Sequence, residues 1–134
     1  MGAWGPGSFE NDAAADWAIE CAQSGDFALV EGILDNLLAA EPDELDASDV
    51  EEAIAAAELA AHAAGHGDGE LPNILRDWVE RLSVLPTRDL LTKAHAAMRK
   101  VLNEPSELQD LWAESDESQD WLASLGGLLE RLKG

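Results

Sequence analysis

Ser48-Asp49-Val50-Glu51-Glu52-Ala53-Ile54-Ala55-Ala56-Ala57-Glu58-Leu59-Ala60-Ala61-His62-Ala63-Ala64-Gly65 is the stretch from which the fold is read. Val50, Ile54, Ala57, Ala61 and Ala64 recur at three- and four-residue steps, the period of a helix with one inward face. Ser48 followed three residues later by Glu51 has the pattern of a capping box, whose two side chains satisfy each other's orphan backbone donors. Gly65, Gly67 and Gly69 break the helix. Because the inward face is mostly alanine, a neighbouring helix can approach closely, with less apolar area buried per residue.

The same period extends in both directions. Upstream, Asn11 or Asp12 can cap a first helix with Ala14, Trp17, Ala18 and Cys21 inward, ended by Ser24-Gly25. Asp26 opens a second, with Phe27, Val30, Ile33, Leu34, Leu37 and Leu38 inward, and Pro42 forbids its continuation. Downstream, Pro72 suits the first turn of a fourth helix with Leu71, Leu75, Trp78, Leu82 and Leu85 in line, and Asp77 and Arg81 are spaced to pair outside it. A fifth spans Thr87 to Asn103. Ser106 with Gln109 repeats the capping pattern before a short sixth burying Leu108, Leu111 and Trp112. The last begins at Ser118, with Trp121, Leu122, Leu125, Leu128, Leu129 and Leu132 inward; close helix contact or a kink would account for Gly126-Gly127. Strict alternation is absent and no fixed-period repeat survives comparison of the segments. The expectation is an all-α fold: one compact bundle of about seven short helices, a single domain over residues 1–134, not a solenoid.

Composition narrows the function. The chain has 134 residues, 28 acids against 8 bases and a formal charge of −20. Proteins that coat nucleic-acid phosphates or adhere to anionic lipid need Lys and Arg, so neither nucleic acid nor membrane is an expected partner. No apolar run reaches the ~18 residues of a membrane span, and the first twelve residues lack the basic start and apolar stretch of a secretion signal. Cys21 is the single cysteine, which excludes an intrachain disulfide and a thiolate zinc cage. A cytoplasmic setting is expected.

The acidity is uneven. Residues 1–75 hold seventeen acids and no Lys or Arg; the first base is Arg76. The densest run, from Glu41 to Glu52, contains Glu41, Asp43, Glu44, Asp46, Asp49, Glu51 and Glu52. Solvated helix faces and acid-favoured helix starts account for many of these, as would a general acidic bias of the proteome. A docking surface for a protein with a basic surface is the functional alternative, since complementary charge raises the rate of encounter.

Residues 1–12, MGAWGPGSFEND, do not read as generic helix. Gly2, Trp4, Gly5, Gly7, Phe9, Asn11 and Asp12, followed by Asp16 and Trp17, resemble the opening of the small bacterial proteins known as domain of unknown function 4259. That family typically begins Met-Gly-x-Trp-Gly, then Gly-x-Phe, an Asn/Asp pair and an aromatic in the following helix. The Ala-rich helix and Ser106-Glu107-Leu108-x-x-Leu111-Trp112 extend the likeness along most of the chain. The resemblance implies a bacterial, single-domain, soluble protein and brings no activity, substrate or cofactor. Two roles fit the segment. In one, residues 1–10 pack on the bundle through Trp4 and Phe9 while Asn11 caps. In the other, Trp4, Glu10, Asn11 and Asp12 form a binding edge.

Chemical motifs are sparse. His62 and His66 stand one helical turn apart, a spacing that can chelate a metal, but the glutamate of H-E-x-x-H is missing and Gly65 interrupts the helix between them. Cys21 lies on an inward stripe, where thiols are inert. No nucleophile elbow or phosphate-binding loop is present. No catalytic residue, metal or cofactor is assigned. The expected function is an acidic module binding a basic protein partner, one concrete form being an immunity- or antitoxin-like protein, with Glu41, Asp43, Glu44 and Asp46 beside the terminal residues as candidate contacts. The alternative is a metal-dependent or small-molecule-binding enzyme using His62, His66 and nearby carboxylates.

Overall fold

Asn11 opens the first helix. In the computed structural model, which describes residues 7–41, 44–67, 71–103 and 107–133, its Oδ1 accepts the Ala14 N–H at 2.8 Å and α1 runs Asp12–Ala22. Asp26 accepts the Ala28 N–H at 3.0 Å through Oδ1, and α2 spans Ala28–Ala39. The central helix α3 spans Ala47–Ala63, α4 Asn73–Leu82, α5 Arg88–Asn103, α6 Glu107–Ala113 and α7 Ser118–Leu132. The fold is therefore all-α, with seven helices and no strand among the described residues.

Alanine explains the arrangement. Twelve of the seventeen residues of α3 are buried, because α1, α2, α5, α6 and α7 all pack against it while α4 packs on α1. A helix covered on several sides needs small side chains on several faces, and Ala53, Ala55, Ala56, Ala57, Ala60, Ala61 and Ala63 supply them. The larger core groups come from the surrounding helices, among them Trp17, Leu34, Trp78, Met98, Leu108 and Leu128. Phe27 meets Trp78 edge-on at 5.5 Å between ring centroids, and Trp112 stacks on Trp121 at 6.0 Å.

Four details differ from the sequence pattern. The capping box at the start of α3 is Asp46 with Asp49, not Ser48 with Glu51: Asp49 N–H donates to Asp46 Oδ1 at 2.9 Å and Asp46 N–H to Asp49 Oδ2 at 3.2 Å. Starting earlier wins the Val50 N–H bond to the Asp46 carbonyl and leaves Glu51 on a buried face. Leu85 is 74% exposed, not in the α4 stripe. Its helix stops at Leu82, Ser83 is left-handed at φ 53°, and a residue before proline, here Leu85 before Pro86, resists helical geometry. Leu122 is exposed on the outer side of α7. Finally, a Cβ at Gly126 or Gly127 would meet nothing within 4 Å, and α7 continues through both, so no close contact accounts for the pair.

Bases of the second half reach across to the first. Lys100 on α5 donates to the carbonyls of Leu37, Leu38 and Ala40 at 2.8, 3.3 and 2.5 Å, capping the negative end of α2. Lys93 pairs with Asp35 at 2.8 Å and lies 3.5 Å from Glu31. Arg81 turns to the Ala22 carbonyl at 3.2 Å.

Candidate functional site

The acids of the Glu41–Glu52 run gather where α2 passes into α3. Glu41 N–H donates to Glu44 Oε1 at 2.8 Å, closing the connection, and the Asp46–Asp49 box follows. Glu41, Glu44, Asp46 and Asp49 are exposed, while Glu52 is half-buried. Burial raises the Glu52 carboxyl above its ordinary value, and the like charges of Asp49, Glu20 and Asp46 raise it further. Glu20 comes from α1, so two helices contribute to the crowding. Beside these acids a groove of about 310 Å³ opens between α2 and the start of α3. Ile33, Leu37, Ala40 and Leu45 give it an apolar floor, and Glu44, Asp49 and Glu52 rim it.

The terminal candidates lie elsewhere. Glu10 Oε1 accepts the Gly7 N–H at 3.1 Å. Asn11 is buried as the α1 cap and Asp12 is exposed beside it. Phe9 packs against the core. Trp4 and Asp43 lie outside the described residues.

Two further carboxylates are buried on α3, and the sequence pattern pointed to neither as a core group. Glu58, 4% exposed, accepts from Ser8 Oγ at 2.9 Å and from Arg131 Nη2 at 3.0 Å through Oε1, while Oε2 takes Arg131 Nη1. This two-pronged guanidinium contact is the strong form of a carboxylate pair. Glu51, 7% exposed, lies two turns earlier, and its Oε2 has no hydrogen-bond partner among the described residues. It lines a cavity of about 10 Å³, room for about one water, with Asn11, Ser124, Trp112 and Trp121. Burial raises the Glu51 carboxyl and the charges of Asp12 and Asp46 add to the effect, while the amino-terminal positive charge offsets part of it. The seven-residue spacing of Glu51 and Glu58 placed both on one helix face. What it lacked was any sign that this face would be covered.

The histidines do not share a helical face. Gly65, at φ 88°, ends α3, and His66 falls beyond it with its N–H on the Ala61 carbonyl at 2.9 Å. His62 instead stands 3.5 Å from Glu58 Oε2, and the backbone of Gly67 lies so close to its ring that any Cβ there would clash. Among the described residues no three His, Cys, Asp or Glu side chains converge as metal ligands. Cys21 is buried, and desolvation pushes its thiol up to about 11, so it is protonated at neutral pH.

The model of the family described as domain of unknown function DUF4259 matches residues 2–124. The chain belongs to that family. The DUF4259 match takes in α1 to α6 and the start of α7, and so includes both buried glutamates and the acidic groove, while Arg131 lies beyond it. No curated protein and no solved structure matches the chain. No described helix is long and apolar enough to cross a membrane.

Proposed function

We propose that the protein is an acidic interaction module that binds a protein partner with a basic surface through the edge where α3 begins. The gathering of Glu41, Glu44, Asp46 and Asp49, all exposed, where α2 passes into α3 carries this reading. Like charges held together raise the free energy of the unbound protein, and an approaching cationic surface relieves that repulsion while speeding encounter. The bases that reach α2 are engaged in its framework: Lys100 at its end and Lys93 on its outer acids. Neutralising a basic nuclease, as an immunity- or antitoxin-like protein does, is one form such a module takes, and a bacterial cytoplasm is its setting. Capture from native lysate tests the proposal, comparing wild type with Glu41→Gln/Glu44→Gln/Glu52→Gln at low and raised salt. A partner held at low salt, released at raised salt and not held by the variant is the expected result. Equal capture by both proteins overturns the reading.

A further inference from the structure

We infer that the groove between α2 and α3 seats an amphipathic basic segment of the partner, an apolar side chain entering the groove with lysines or arginines on either side. The inference rests on the module reading above and adds the shape of what is bound. A partner held by charge alone would need only the exposed acids. Here the rim of Glu44, Asp49 and Glu52 surrounds apolar side chains, and Ile33 and Leu45 are only half-buried. A volume of about 310 Å³ admits side chains rather than a single ion. A neutral apolar partner, in turn, would desolvate the rim carboxylates without pairing them, which is costly. Only an occupant that is apolar at its centre and cationic at its edges satisfies both surfaces. The α2 end of the groove already shows how an ammonium is accommodated, because Lys100 is held there on the carbonyls of Leu37, Leu38 and Ala40.

Three synthetic peptides of equal length test this by calorimetry at low salt: one with a helical leucine stripe and lysines, one with serine replacing each leucine, and one with the leucine stripe and glutamates. The leucine–lysine peptide is expected to bind at least about tenfold more tightly than the serine–lysine peptide, the value of burying one sizeable apolar side chain, and the glutamate peptide not to bind. Leu45→Ser removes part of the floor and is expected to erase that margin. Asn36→Lys places a cation on the exposed wall without touching the core, so it retains the fold and is expected to weaken the leucine–lysine peptide at least about tenfold. Equal binding of the two lysine peptides overturns the groove while leaving the charge-based module standing. A leucine margin that survives both substitutions overturns the location. Failure of both lysine peptides to bind at low salt overturns the module reading and the groove with it.

Discussion

Glu51 and Glu58 occupy the same face of the same helix, two turns apart, and are buried to nearly the same degree. Their circumstances are opposite. Glu58 has Ser8 and both arms of Arg131, with His62 alongside. Glu51 has an oxygen with no partner among the described residues, a cavity the size of one water and two like charges that the amino-terminal charge offsets only in part. The difference shows that burial alone assigns no role to a carboxylate. At one end of α3 an acid holds three distant segments together; at the other it is a local cost.

The largest test makes Glu58 resemble Glu51. Arg131→Met keeps the apolar stem and removes the charge, leaving the buried carboxylate with Ser8 and His62 but no guanidinium. A loss of about 3–5 kcal/mol is expected in urea unfolding, which lowers the melting temperature by roughly 10 °C or more. Removing Glu51 works the other way. Glu51→Leu is expected to stabilise by about 1–2 kcal/mol at pH 7, since an unsatisfied buried group is replaced by an apolar one of similar size.

The pH dependence separates that gain from ordinary packing. The carboxyl of Glu51 is raised above 4.5 in the folded chain, so the folded state holds its proton more firmly than the unfolded one. Its penalty is absent below the ordinary value and grows as pH rises through the raised one. The advantage of Glu51→Leu over wild type should therefore be greatest near neutrality and shrink towards pH 4; a constant advantage would refute the account.

Ser8→Ala withdraws one donor and leaves the guanidinium, so the Glu58 end should lose only about 0.5–1.5 kcal/mol in thermal melts. Gly127→Ala, at an exposed position facing open space, sets the background. A gain of about 0.5–1 kcal/mol from helix propensity is expected, with no change in the Glu51 pH effect.

Local chemistry made most of the helices legible. Asn11 three residues before Ala14, the apolar steps of α1, α2 and α5, and the glycines after Ala64 each act within one or two turns, the range over which periodicity is informative. The exceptions are equally physical. Asp46 and Ser48 are both residues that can cap a helix, and only the two additional helical residues decided between them. Leu85 fits the α4 stripe by spacing, but the proline after it ends the helix first. The site residues were harder. Glu41, Glu44 and Asp46 stood out by density, whereas the groove needed the packing of α2 beside α3. Glu58 and Arg131 are separated by 73 positions, and a pattern that counts alanine as nearly neutral could not tell that α3 would be enclosed on several sides.

The Arg131 contact also sets an order of events during synthesis. Residues 1–75 leave the ribosome carrying every one of their negative charges and none of the opposite sign. A growing chain that stops anywhere before Arg131 has the carboxylate of Glu58 but no guanidinium to meet it, so α3 cannot be sealed at low cost until α7 is nearly finished. Closure of the interior is thus deferred until the turn of α7 that carries Arg131 is made, and nascent chains short of it should remain open to proteases however many of the earlier helices have formed.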